Sequence, residues 1–475
     1  MLATILVALH TTVTLGVIAR VLIRPRVEPS VRLAWIMVVE ALPVVGIAAY
    51  LLFGEVRMRQ AEVQRMADAR ERLTGLRLPS PALVRDAPDF ARPVIAATEA
   101  VGGMGAVAGN RITLLDEGDG AIDRMVDAIE RARDHVHVLF YIWLPDHSGT
   151  KVADAIARAA QRGVACRVIV DAVGSRGLVR SDLWTRMQLA GAHCVTAFPW
   201  GLPFVSLLFQ RLDLRNHRKI LVVDNEIGFS GSRNCADMAF AIKPRFAPWV
   251  DVLVSIEGPV LRQFQSIFLS DWMSYTGRDL GGMLHQIGPV DHPGQIAQVV
   301  ATGPDLRAGS ISDVMATMLH AARHRVIITT PYYVPDMALD AAIRAAALRG
   351  VEVVMILPER NDSLVVGATS EGFYDGLLAA GVRLHLFQHG LLHAKIMTVD
   401  GRMAMIGSAN MDRRSFELNY EVNMTLIDER LTDELDLRQM SYLDRARPLT
   451  LAEVRDWGLL RRLRNNLLAL ASPLL

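Results

Sequence analysis

Two stretches of the chain carry histidine, lysine, aspartate, glycine and asparagine at identical spacing. The first reads N-H-R-K-I-L-V-V-D-N-E-I-G-F-S-G-S-R-N and holds His217, Lys219, Asp224, Gly231 and Asn234. The second reads L-H-A-K-I-M-T-V-D-G-R-M-A-M-I-G-S-A-N and holds His393, Lys395, Asp400, Gly407 and Asn410. All five positions are offset by 176 residues. At roughly one in twenty per position, five such matches arise by chance about once in three million starts, so the pattern marks function. Of the 51 basic residues only Lys151, Lys219, Lys243 and Lys395 are lysine, and two of these four fall on the pattern. A compact ammonium is retained there in a chain that otherwise uses the planar guanidinium.

Two lysines and two asparagines, with Ser232 and Ser408 in the same G-S-x-N turns, are donors suited to the non-bridging oxygens of a phosphodiester. One histidine can attack phosphorus, while the other protonates the leaving alcohol and then deprotonates the incoming one. This chemistry needs no metal or other cofactor. The chain offers no carboxylate cluster of the kind a two-metal phosphodiesterase uses. Metal ligation by the two histidines is the competing reading, and the neighbouring lysines would repel a cation.

The spacing also sets the elements. H-x-K has period two, which on a strand turns both side chains to one face. An apolar run leads to a D-N or D-G turn at Asp224-Asn225 and Asp400-Gly401. A second strand returns to G-S-x-N, whose glycine lets the backbone come close to a ligand. His, Lys and Asn are then expected to converge at one strand-end site.

The duplication extends beyond the motifs. Residues 125–146 and 315–336 each read as a helix, a β-rich run and a P-D turn; residues 153–171 and 339–358 each read as an Ala-rich helix closed by R-G-V before a strand. Gly163 and Gly350 stand where a helix ends in a left-handed residue. Alternating helix and strand predicts an α/β fold in two homologous halves, with mixed sheets flanked by helices. The expected halves are 111–285 and 286–450, preceded by a linker at 57–110.

Residues 2–19 and 33–53 are apolar runs of about 20 residues, long enough as helices to cross a hydrocarbon core, so 1–56 is expected to be a two-helix transmembrane hairpin. Trp35 and Tyr50 suit interfacial positions. Hydrophobic residues make up 51% of the chain and mean hydropathy is +0.25, in keeping with a membrane segment. A net charge of +1 argues against a nucleic-acid partner. Cys166, Cys194 and Cys235 are too few and too scattered for a disulfide framework. Residues 198–212 form an apolar insertion before the first motif, expected to contact the bilayer. The tail 451–475 has leucines and arginines at helical spacing, suited equally to an interfacial helix and to one docked on the body.

On these motifs the chain resembles the phospholipase D superfamily, with its two H-x-K-x4-D-x6-G-x2-N signatures, and more narrowly the bacterial cardiolipin synthases. The stretches N-H-R-K-I and G-S-A-N-M-D-R-R-S-F-E-L-N-Y-E-V-N carry that resemblance, with Ala34-Trp35, Pro43–Gly46 and the final S-P-L-L. It implies two halves about a pseudo-twofold axis with one active site between them, and a phosphatidyl-histidine intermediate formed from phosphatidylglycerol. A second phosphatidylglycerol then takes the phosphatidyl group, giving cardiolipin and glycerol. It implies that Asp251 and Glu421 orient the histidines, and that Asp224 and Asp400, grouped with the catalytic signature, act structurally by tying their turns and lysines. It also implies a bacterial inner-membrane protein with the catalytic halves on the cytoplasmic side. The arginines flanking the apolar runs leave the side open. A hydrolase with water as acceptor, or a non-catalytic lipid-binding scaffold, would share much of this sequence. Oligomeric state is not legible.

Overall fold

The computed structural model describes residues 1–475 apart from Arg26, Arg59, 76–83, 85–86, 200–210, Leu212, Ala241, 287–293, 307–308 and 471–475. The apolar insertion at 198–212 therefore lies almost wholly outside the described residues, as does the terminal S-P-L-L.

The first half contains β1 (Val107–Leu114), β2 (His135–Phe140), β3 (Ala165–Asp171), β4 (His193–Ala197), β5 (Arg215–Asn216), β6 (Ile220–Val223), β7 (Ile227–Gly231), β8 (Trp249–Val250) and β9 (Leu253–Glu257). The second contains β10 (Gln295–Thr302), β11 (Arg325–Thr329), β12 (Tyr333–Val334), β13 (Glu352–Pro358), β14 (Arg383–Phe387), β15 (Leu391–Leu392), β16 (Ile396–Val399), β17 (Met403–Gly407), β18 (Met411–Asp412), β19 (Asn419–Ile427) and β20 (Ala446–Leu449). The strand order β4-β3-β2-β6-β7-β9-β1 in one half reappears as β14-β13-β11-β16-β17-β19-β10 in the other. This is the duplication read from sequence. The two sheets join edge to edge through the antiparallel pair β1–β10.

Local sequence explains the elements. All six residues of β2 are buried, as befits a strand covered on both faces, and two of them are histidines. The helix His147–Gln161 starts where the Asp146 side chain accepts from the Gly149 amide; Met337–Leu348 starts where Asp336 accepts from the Leu339 amide. Both helices give way to a left-handed glycine, Gly163 (φ 91°) and Gly350 (φ 88°). Ile220, Val254 and Trp272 of one half share a buried cluster with Ile396, Val422 and Met424 of the other. The halves are thus welded by apolar burial as well as by the sheet.

The amino terminus departs from expectation. Helix α1 (Leu2–Ile23) is long and apolar enough to cross a membrane. The second apolar run is not one helix: it breaks into α2 (Pro29–Ala41) and α3 (Val45–Phe53). Pro43 lacks the amide a continuous helix requires, and Val44 adopts φ 66°. Trp35 and Tyr50 pack edge-on against each other inside this bundle, their ring centroids 5.3 Å apart. At its base Glu55 accepts from Arg20 Nε (2.5 Å) and the Tyr50 hydroxyl (2.9 Å). The foot is tied to the second half where Arg413 donates to Glu28.

Candidate active site

The pairing of two short strands decides the geometry. β5, which leads into His217, pairs in parallel with β19 of the opposite half; β15, which leads into His393, pairs in parallel with β8 of the first half. The register is completed by the histidines' own amides: His217 N donates to Tyr420 O (2.9 Å), and His393 N to Val250 O (2.7 Å). The H-x-K segments therefore do not lie within a strand, as period two predicted, but in the extended links before β6 and β16. Each half hands its histidine across to the other.

The carboxylates follow from that crossing. His217 Nδ1 lies 2.9 Å from Glu421 Oε2, and His393 Nδ1 lies 2.6 Å from Asp251 Oδ1. Each imidazole is held by the acid of the opposite half. The Ser232 hydroxyl donates to Asp251 at 2.6 Å, and that of Ser408 to Glu421. Their amides bond to Val252 and Val422 carbonyls. Neither serine has a proton left for a phosphate, which corrects the expectation that they bind one; they fix the carboxylates instead.

The lysines are buried side by side with the histidines. Lys219 Nζ donates to the His217 carbonyl (2.5 Å), and Lys395 Nζ to that of His393 (2.6 Å). Burial pulls Lys219 down to about 8 against the attraction of Glu421 and Asp251. Burial also pulls Lys395 down to about 7, with the Lys219 charge adding to it. Burial pushes His217 down to about 4 despite the Glu421 carboxylate, and lowers His393, on which the Lys395 charge acts in the same sense. Burial raises Asp251, but His393 and Lys395 outweigh it and hold the acid at about 2. The charge of Lys395 reaches His217, and that of Lys219 reaches His393, so both motifs share one electrostatic site.

Asn234 keeps its buried Nδ2, a donor, without a partner, and Asn410 its buried Oδ1, an acceptor. Of the two, only the Asn234 Nδ2 is a donor suited to a phosphoryl oxygen. Two aromatic walls escaped the sequence reading. Tyr141 meets His217 edge-on (4.8 Å between centroids), and Trp249 stacks on His393 (4.6 Å). Nothing in spacing distinguishes them from core aromatics. A third feature was partly legible: Lys243, one of the four lysines, donates to Asp362 across the halves at 2.6 Å, where the Tyr332 hydroxyl also bonds.

Asp224 and Asp400 are not at the site. They occupy the tight turns at the far ends of β6 and β16, with φ 52° and 55°. Five residues at roughly 3.3 Å each put them about 16 Å from the lysines they were expected to tie. Asp224 accepts the amides of Arg133, Asp134 and His135; Asp400 accepts those of Arg323, His324 and Arg325. Their place is a clamp on the loops that open β2 and β11, which corrects their grouping with the catalytic residues. Asp400→Ala strands three amides and is expected to cost about 2–3 kcal/mol of stability, read as a fall in thermal midpoint, with kcat of the folded fraction little changed. The motif glycines are corrected likewise. A Cβ on Gly231 would sit 2.3 Å from Val252 O, and one on Gly407 2.2 Å from Asn423 Oδ1. They permit close strand packing, not approach to a ligand.

A cardiolipin synthase, phospholipase D-like domain model matches residues 125–272 and 315–439, and a phospholipase D-nuclease N-terminal model matches 12–55. Cardiolipin synthase A of Proteus mirabilis is 35% identical over 97% of this chain and 96% of its own length. That of Klebsiella pneumoniae is 36% identical over the same shares. The chain belongs to the cardiolipin synthase family. The phosphatidylserine synthase of Haemophilus influenzae, 14% identical, covers 81% of this chain and 100% of its own at a TM-score of 0.59, a likeness of fold. In this family member, the two family-model segments take in β2 to β9 and β11 to β19, and the matched amino terminus takes in the second half of α1 and all of α2 and α3.

Proposed function

We propose that this membrane-associated enzyme makes cardiolipin by phosphatidyl transfer between two phosphatidylglycerol molecules. The reading is carried by the two crossed imidazole–carboxylate pairs, each beside a buried lysine. Nε2 of one histidine attacks phosphorus, and the phosphorus–oxygen bond to glycerol breaks as the second imidazolium protonates that oxygen. The neutral second imidazole then takes the proton of an incoming phosphatidylglycerol hydroxyl, whose oxygen displaces the histidine and re-forms a phosphodiester. Glu421 and Asp251 keep both Nδ1 atoms protonated, so that Nε2 faces the reaction. Lys219, Lys395, Asn234 and Asn410 take the phosphoryl oxygens, strongest where charge builds in the transition state.

The hydrocarbon-spanning helix α1, returned by the broken α2–α3 arm, anchors a multi-pass protein with its catalytic halves on the cytoplasmic side. Units 1–56, 57–110, 111–285, 286–450 and 451–475 are the corresponding divisions.

The deciding experiment incubates purified protein with phosphatidylglycerol and weighs the products. Cardiolipin with glycerol supports the reading; phosphatidic acid would make the enzyme a hydrolase. Activity is expected to survive chelator treatment.

The pH profile follows from the lysines. A lowered ammonium pKa moves discharge to lower pH, so in the empty site Lys395 loses its proton through about 7 and Lys219 through about 8. Anion affinity is therefore full below these values and falls as pH rises through them. KM for phosphatidylglycerol is expected to rise about tenfold or more between about pH 6 and 9. A flat profile would mean both ammonium groups stay charged throughout.

A further inference from the structure

The C-terminal helix Leu459–Leu470 is amphipathic in the inverse sense. Its polar side is turned toward protein. Arg461 Nη2 (2.8 Å), Arg464 Nη2 (3.3 Å) and Asn465 Nδ2 (2.6 Å) all donate to Glu371 of the helix Leu364–Glu371, and Asn465 is buried there. Four of its leucines point away: Leu459, Leu460, Leu463 and Leu467 are 61% to 83% exposed, while Leu468 is half-buried. At about 100° per residue these four span an arc of about 100°, with Asn465 roughly opposite. A docked helix in water turns such a stripe inward. Here each of the four leucines stands to gain about 1.5–3 kcal/mol on leaving water, and none of the described residues covers it.

The patch continues toward the candidate active site, Leu364 lining one cavity with Arg461 and Arg464. Leu364 is 83% exposed and Ile242 58% exposed. Ile242 adjoins Lys243, and Leu364 follows Ser363 next to Asp362, so the Lys243–Asp362 ion pair draws these two apolar residues to the same place. The His393 charge acts on Asp362, which sets this end of the patch beside the site. Arg245, Arg360 and Arg462 stand exposed around the patch and form no ion pair among the described residues. The placement also matches the amino-terminal anchor. β11 and β13 are parallel, so the loops after them leave one edge of the sheet. The second of these loops holds Asp362. The first ends at Asp336, which lines a cavity of about 240 Å³ at the foot of the α1–α2 pair with Arg24 and Glu28.

We infer that the leucine face of the C-terminal helix, with Leu364 and Ile242, is a second membrane contact that seats the catalytic cleft on an anionic phospholipid surface. Apolar side chains enter the acyl boundary, and the unpaired arginines meet lipid phosphates. The inference rests on the lipid-substrate reading and deepens it, because a cleft held at the surface takes both donor and acceptor without extracting them.

The test uses the full chain with its amino-terminal helices intact. In Leu463→Asp/Leu467→Asp, turnover of phosphatidylglycerol in vesicles is expected to fall roughly tenfold or more, and turnover of monomeric dihexanoyl-phosphatidylglycerol to stay within about twofold. A nitroxide on Leu463→Cys is expected to be shielded from a water-soluble quencher and open to oxygen in phosphatidylglycerol vesicles. Unchanged vesicle turnover, equal loss on both substrates, or a label as wet in vesicles as in solution would overturn it. So would a dimer in solution that the aspartates dissolve, since the face would then belong to a second copy. If wild type yields phosphatidic acid, the synthase reading fails, while the label depth still decides the docking.

Discussion

Alanine at the nucleophilic histidine is expected to lower cardiolipin formation at least about 10⁴-fold, below detection in most assays. Alanine at its partner is expected to cost about 10²–10⁴-fold, the usual worth of a positioned acid–base group. His217→Ala and His393→Ala should therefore both be severe, and they should differ in kind. Without the nucleophile no covalent lipid–enzyme adduct can form. Without the partner the adduct still forms slowly and then waits, because nothing deprotonates the acceptor hydroxyl. Brief exposure to labelled phosphatidylglycerol, followed by denaturation, would show label on one variant only and so assign the roles. The fold is expected to survive. Glu421 would keep Ser408 and Asn419 as hydrogen-bond partners and Lys219 as a nearby charge. Asp251 would keep Ser232 and Lys395. Substantial turnover in either variant would refute a paired-histidine mechanism.

Much of this was open to sequence because it is periodic. The duplicated motif, the helix-closing glycines Gly163 and Gly350, and the turns at Asp224 and Asp400 are local patterns with local causes. What escaped has non-local causes. The swap of β5 and β15 between halves depends on two-residue strands that carry no periodic signal. The helix break at Pro43 was visible as a proline, yet the apolar run around it reads as continuous. Ser232 and Ser408 share turns with Asn234 and Asn410 and look equivalent on paper. They separate once Asp251 and Glu421 arrive from strands of distant sequence. The tail's two sequence readings, docked or interfacial, were alternatives only in one dimension: a helix can dock by its polar side and leave its leucines free.

Asp251→Asn and Glu421→Gln are expected to cost about 10²–10⁴-fold in kcat, and to do so across the halves. An amide is nearly isosteric with the carboxylate, so packing survives. It carries no charge, so the imidazolium that forms during transfer loses its counter-ion, and Nδ1 no longer has an obligatory acceptor. The discriminating readout is the titration of each histidine. Asp251 raises the affinity of His393 for its proton, and Glu421 does the same for His217. Removing the Asp251 charge should therefore lower the pKa of His393 further while leaving His217 nearly where it was; Glu421→Gln should do the reverse. Histidine resonances followed by NMR through a pH series would report this directly. If Asp251→Asn instead moved His217, each carboxylate would be serving the histidine of its own half, and the crossing of β5 and β15 would be ornament. If the crossing holds, neither half alone possesses a complete imidazole–carboxylate pair. Activity is then a property of the joined sheet, and the β1–β10 seam becomes as necessary to catalysis as the histidines themselves.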